Sequence, residues 1–253
     1  MSAVMAVTLG NTTAAGVLAI DGVLGPVRRV SVGRLEDLDD VLARACADGG
    51  GEAVPVAVAS VNPPALQRFA RLAAGTGVPR PEVAGADFPI PIPDTVENRG
   101  QVGVDRLLGA LAAYRRSGGA CVTVDFGTAI TVNAVSAEGV FLGGAILPGL
   151  ALMARALAQG TAALPEVAPE DAPPCVGRNT AQAVAAGLLH GAAGAVAALI
   201  RGARQTVGAK AAVILTGGGA ERLAGLLPTD CRQVQPDLVL EGLILSYRER
   251  PER

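Results

Sequence analysis

The sequence predicts an α/β protein built from two halves of similar order. Each half opens with an apolar strand, a turn of small residues and a second strand: residues 4–9, 10–13 and 16–20 in the first, 121–125, 126–128 and 129–135 in the second. Each then carries a hairpin signal, Asp21-Gly22 or Glu138-Gly139, before a third strand. Each continues with alternating helical and strand-like segments, which is the pattern of an internal duplication. Identity between the halves is slight, and periodicity alone equally fits a mixed α/β domain without a repeat.

In chain order, residues 27–32 are the third strand of the first half. Residues 35–47 have helical spacing, 54–60 form a continuous apolar strand, and 64–74 are helical with an early proline suited to a first turn. A connection spaced by Pro89, Pro91 and Pro93 leads to a helix over 104–116 and then to Gly118-Gly119. In the second half a strand is expected over 140–145, helices over 148–158 and 180–204, a strand over 211–215, and a helix after Gly219. The division into two lobes is placed at 1–117 and 118–253.

Composition narrows the function. The chain has 253 residues, half of them hydrophobic, yet only four Phe and two Tyr, so the core is built from Ala, Val and Leu. With 21 basic and 23 acidic residues the formal charge is -2, which provides no footprint for nucleic acid or an anionic membrane and points to a small metabolite. Cys46, Cys121, Cys175 and Cys231 are far apart, form no C-x-x-C and have only His190 to share a metal with, so no zinc site is expected. The cysteines are read as small apolar residues and His190 as a packed or capping side chain. The N-terminus lacks the basic and apolar regions of a signal peptide, and no membrane-spanning run of about 18 apolar residues is expected. A cytoplasmic location with reduced thiols follows as the expectation.

Five segments carry chemistry. Thr8, Leu9, Gly10, Asn11, Thr12 and Thr13 close the first strand. The glycine allows close approach, and short hydroxyl and amide groups lie beside backbone N–H groups that can hold phosphate oxygens. Asp125-Phe126-Gly127-Thr128 takes the equivalent place in the second half, where a carboxylate ending a buried strand calls for a cation or donors. Gly103-Val104-Asp105-Arg106 opens a helix. An Asp there is ordinarily an N-cap, but a carboxylate beside a guanidinium can also accept a hydroxyl proton while the Arg orients an anionic substrate. Residues 143–149 and Thr216-Gly217-Gly218-Gly219 are glycine turns, the latter able to approach an adenine or ribose. Glu166, Glu170 and Asp171 lie in a Pro-rich stretch, 165–174, that reads as a solvated loop.

These segments, with Glu97-Asn98, Arg178-Asn179-Thr180 and residues 238–243, resemble over nearly the whole chain the type III pantothenate kinases, members of the superfamily of acetate and sugar kinases, chaperone ATPases and actin. The resemblance implies two ribonuclease H-like (actin-like ATPase) lobes, each a mixed five-stranded sheet with flanking helices. It implies ATP-dependent phosphorylation of pantothenate with Mg2+, the first step towards coenzyme A. By resemblance Asp105 is the proton acceptor, and Val96, Gly103, Val104, Asp105, Arg106 and Thr180 are substrate positions. Thr8 to Thr13, Thr128, Gly217 and Gly218 are ATP positions, and Asp125 is the site of a monovalent cation, K+ or NH4+. A homodimer is implied, with Thr180 close to the partner's site and the Ala/Gly-rich segment 181–198 as the seam. Three positions depart from the family: Thr8 stands for an Asp, Val96 for a Tyr and Arg99 for a Pro. Two alternatives stay open on the sequence, a ligand-binding relative without catalysis and a kinase for another small hydroxylated substrate.

Overall fold

A computed structural model of the chain describes residues 3–42, 54–168 and 174–251. They divide into two compact units, Met1–Pro93 with Glu97–Ala112 and Asp237–Arg253, and Asp94–Val96 with Ala113–Pro236.

In the first unit the strands are β1 (Ala3–Leu9), β2 (Thr13–Ile20), β3 (Val23–Leu24), β4 (Arg28–Ser31), β5 (Val56–Ser60) and β6 (Glu82–Val83). Their order is β3-β2-β1-β5-β6, with β4 also paired to β2. Strand β1 is central, antiparallel to β2 and parallel to β5. Met5, Ala6, Val7 and Leu9 are buried, as an apolar run flanked on both sides must be. The hairpin after β2 turns on Asp21 (φ 51°) and Gly22 (φ 86°), the left-handed pair that a two-residue connection requires. Helix α1 (Pro63–Thr76) covers the sheet through Ala65, Phe69 and Ala73 and ends on Gly77 at φ 81°. The helix expected over 35–47 begins instead as a 3-10 helix, Val32–Leu38, capped by the Ser31 hydroxyl; residues 43–47 lie outside the described residues.

The second unit repeats this plan. Its strands are β7 (Cys121–Phe126), β8 (Ala129–Val135), β9 (Phe141–Pro148), β10 (Ala212–Thr216) and β11 (Gln233–Val234), in the order β11-β10-β7-β8-β9. Strand β7 is again central, antiparallel to β8 and parallel to β10. Both sheets thus carry the same sequence of antiparallel and parallel pairings, and the duplication is a property of the fold. Pro148, expected to start a helix, ends β9 opposite Ala129, and α3 (Leu150–Gly160) follows Gly149.

Helix α4 (Thr180–Val207) lays Leu189, Ala192, Ala193, Val196 and Ile200 on Val122, Val124 and Val132 of the sheet. Residues 180–200 contain no Asp, Glu, Lys or Arg, so the expectation that no run is long and apolar enough to span a membrane does not hold for α4. Its Leu and Val side chains are instead the core of this unit. Cys121 and Cys231 are buried, and burial pushes the Cys121 thiol up to about 11; Cys175 is exposed.

After β11 and the short helix α5 (Ala220–Ala224), helix α6 (Leu238–Arg248) joins the first unit, a return that a single cut at 117/118 does not anticipate. The Tyr247 hydroxyl donates to Glu82 Oε1 (2.7 Å), Ser246 Oγ donates to the Pro89 carbonyl (2.8 Å), and the Tyr247 ring packs edge-on against Phe88. A Cβ on Gly242 would lie 2.1 Å from the carbonyl oxygen of Leu108 in α2 (Val104–Ser117). Backbone cannot yield as a side chain can, so Gly242→Ala is expected to lose about 2–3 kcal/mol in denaturant titration.

Candidate active site

Parallel strands β1 and β5 end side by side, Leu9 opposite Ser60, and the turns after both meet at their carboxyl ends, where α/β sheets place ligands. Gly10 N–H donates to the Thr13 carbonyl (3.0 Å), closing a turn that leaves Asn11, Thr12 and Thr13 exposed. Val61 N–H donates to the Leu9 carbonyl (3.1 Å), and Asn62 Nδ2 donates to the Gly10 carbonyl (3.2 Å). A Cβ on Gly103 would lie 3.5 Å from Val61 Cγ1, so the start of α2 sits on this same junction. Val61 thus adjoins both the end of β1 and Gly103 at the start of α2, while Asn62 holds the Gly10 turn.

The Gly103 carbonyl accepts from Arg106 N–H (3.0 Å) and Leu107 N–H (3.4 Å), which places Asp105 inside the first turn of α2. The Asp105 carboxylate accepts from the adjacent Arg106 N–H (2.8 Å) and leaves no room for a Cβ at Gly103, whose position would be 2.4 Å from Oδ1. A capping Asp would precede the turn and reach two or three residues ahead, so this geometry does not leave Asp105 as a simple cap. Burial raises its pKa above the ordinary aspartate value, outweighing the Arg106 N–H and guanidinium, which both lower it. Burial also lowers the Arg106 pKa, opposed by the neighbouring Asp105 charge.

In the second unit Asp125, Thr128, Gly217 and Gly218 gather at the carboxyl ends of β7 and β10, where Thr216 pairs with Asp125. Gly217 has φ 87°, and a Cβ there would be 2.3 Å from Asp125 Oδ1 and 2.7 Å from Phe126 N. Gly127 N–H donates to the Ala129 carbonyl (3.1 Å), matching the Gly10 turn one residue shorter, and Gly219 N–H donates to the Phe126 carbonyl (3.0 Å). By pairing, Thr8 (opposite Ala15 and Ala59) is the counterpart of Asp125 (opposite Thr131 and Thr216). The two equivalent positions thus hold one hydroxyl and one carboxylate. Asp125 shares its sheet face with Thr123, Thr131 and Asn133, whose Nδ2 donates to Thr123 Oγ1 (3.0 Å), while the alternate residues of β7 face the core.

Val96 lies beside β9, 3.7 Å from where a Gly143 Cβ would be. Thr180 is the exposed first residue of α4, capped by Asn179, and borders an apolar groove of about 520 Å³ with Met153, Leu157, Val184, Gly187 and Gly191. No residue of the two turns lines that groove. Asn62 went unnoticed in the sequence, where Asn before Pro-Pro signals only a helix start.

Among the described residues no three His, Cys, Asp or Glu side chains gather into a metal site. Each turn supplies at most one carboxylate, Asp125 in the second unit and none among residues 8–13 of the first, which fits a divalent ion carried mainly by nucleotide phosphates rather than a protein cage.

The architecture and the paired turns define a two-lobed actin-like ATPase fold of the kinase type. The structure superposes on the activator of the 2-hydroxyisocaproyl-CoA dehydratase from Clostridium difficile with bound ADPNP, with TM-score 0.56, 12% identity and coverage of 98% of this chain and 95% of that one. Residues 4–202 match the type III pantothenate kinase family model. The chain is 37% identical to a type III pantothenate kinase from Thermomicrobium roseum over 85% of its length and 82% of the relative's. It is 36% identical to one from Anaeromyxobacter sp. (strain K) over 97% and 99%. The chain belongs to the type III pantothenate kinase family.

Proposed function

We propose that the protein transfers the γ-phosphoryl group of ATP to the primary hydroxyl of pantothenate, giving 4'-phosphopantothenate and ADP. The observation that carries this reading is Asp105, a carboxylate of raised pKa on the first turn of α2, next to Gly103, which packs on Val61 after β5, in a chain of this family. The turn residues Thr8 to Thr13, with Thr128, Gly217 and Gly218, hold the nucleotide through backbone N–H groups and hydroxyls. Gly103, Val104, Arg106 and Val96 hold pantothenate, and Arg106 faces its carboxylate. Asp105 accepts the hydroxyl proton as the oxygen bonds to the γ-phosphorus and the bond to the ADP oxygen breaks. Mg2+, when bound with ATP, neutralises charge on the phosphates. Positioning and charge compensation carry most of such a transfer, so one well-placed carboxylate suffices as base.

Asp125 holds a monovalent cation, K+ or NH4+, with Gly217 keeping its carboxylate in place. The lobes are those cut at 117/118, with the last helix returning to the first. A second copy of the chain covers the groove along α3 and α4, and Thr180 on its rim belongs to the substrate pocket of the pair. This reading places the enzyme in the cytoplasm, acting on a metabolite without nucleic acid or membrane. The relatives reported above are named as kinases, which favours catalysis over a ligand-binding role. An ADP-release assay over a panel of small hydroxylated acceptors, each with K+, NH4+ or Na+, tests the reading. Turnover with pantothenate in K+ or NH4+ is expected; turnover only with another acceptor would replace the substrate.

A further inference from the structure

We infer that Asn62 is a positioning residue for the nucleotide, acting through the first phosphate turn; the inference rests on the assignment of residues 8–13 to ATP. Its amide does two separate things. Oδ1 accepts from Ala65 N–H (3.1 Å) and caps α1, while Nδ2 donates to the Gly10 carbonyl (3.2 Å). Asn62 is itself held, since its N–H donates to Ser60 Oγ (3.1 Å) and its carbonyl accepts from the Ser60 hydroxyl (3.1 Å) and from Leu66 N–H (3.0 Å). Pro63 and Pro64 supply no N–H, so the start of α1 offers the Gly10 turn this side chain in place of backbone donors.

Both units tie the end of the central strand to the following strand-to-helix segment through backbone, Val61 N–H to the Leu9 carbonyl in the first and Gly219 N–H to the Phe126 carbonyl in the second. The first unit adds a side-chain link one residue further on, Asn62 Nδ2 to the Gly10 carbonyl. Pinning the Gly10 carbonyl fixes the peptide that presents Asn11 N–H, and a turn held in its binding conformation has less freedom to lose when phosphate arrives.

Asn62→Asp separates the two functions, because a carboxylate still caps α1 but cannot donate to Gly10; Asn62→Ser is the second variant, able to cap but too short to reach it. For both, KM for ATP and the ADP dissociation constant by calorimetry are expected to rise about 5–20-fold, with KM for pantothenate within about twofold of wild type and the thermal midpoint of Asn62→Asp held. Unchanged ADP affinity in both variants would overturn the inference, as would an equal rise in both KM values with a lowered midpoint. A wild type that neither binds ADP nor consumes ATP would overturn the nucleotide assignment itself, and a wild type that binds ADP normally beside unaltered variants would overturn only the role of Asn62.

Discussion

Asp105→Asn is expected to lower kcat by about 10²–10⁴-fold, the range of a removed general base, without lowering stability. The amide still accepts from Arg106 N–H (2.8 Å in the wild type), so the local turn is kept. The charge is what disappears. Because burial raises the carboxyl pKa in the folded protein, ionisation is harder there than in the unfolded chain, and Asp105 costs stability at pH values above its folded pKa. That cost is relieved as pH falls below the folded pKa, where the group is protonated in the native state. At neutral pH the Asn variant should therefore melt at or above the wild-type temperature while losing turnover. A helix cap, where Asn serves about as well as Asp, would leave both stability and activity near wild type. The same shift sets the pH profile: the base must be ionised, so kcat/KM should fall on the acid side at a pH above the ordinary aspartate pKa, and this limb should vanish from the residual activity of Asp105→Asn.

Gly217→Ala carries the second large effect. A side chain at φ 87° costs about 1–2 kcal/mol of backbone strain. The clash of Cβ with Asp125 Oδ1 and Phe126 N adds about 1–3 kcal/mol unless the carboxylate moves. If it moves, the cation site proposed at Asp125 is disturbed, and on that proposal the concentration of K+ or NH4+ for half-maximal rate should rise about tenfold. Gly218→Ala is the matched control for stability, because nothing lies within 4 Å of a Cβ there and its backbone is unstrained. Denaturant titration of the two variants should give a loss for Gly217→Ala and a near-neutral result for Gly218→Ala.

How much of this was legible in the sequence follows from the length and exposure of each element. Strands β1, β5, β7, β8 and β10 are apolar runs closed by turn residues, and their pattern announces them. Strands β3, β6 and β11, with two residues each, are too short for alternation to register and exist because a neighbouring strand offers partners. Strand β2 begins at Thr13, before the expected Gly16, because Thr13 pairs with Ser31 of β4. The return of α6 to the first unit was illegible because Gly242, Ser246 and Tyr247 acquire their meaning only from Leu108, Pro89 and Glu82 far away in the chain.

Of the candidate site, the turns were legible because glycine beside Asn, Thr or Asp is a local signal. Their equivalence was legible from their place after the first strand of each half, and the strand pairings add the register that sets Thr8 against Asp125. The burial that sets the Asp105 pKa depends on packing, which spacing along the chain does not encode. Asn62 was hidden for a similar reason, since its contact to Gly10 spans 52 positions.

The most direct test of the central claim is mass-spectrometric analysis of pantothenate incubated with ATP, Mg2+ and K+ and either the wild-type protein or Asp105→Asn. The account predicts pantothenate gaining one phosphoryl group with an equal amount of ADP in the wild type, and product formation slowed at least a hundredfold in the variant. Pantothenate recovered unchanged from the wild-type reaction, or phosphorylated equally fast by Asp105→Asn, would contradict it.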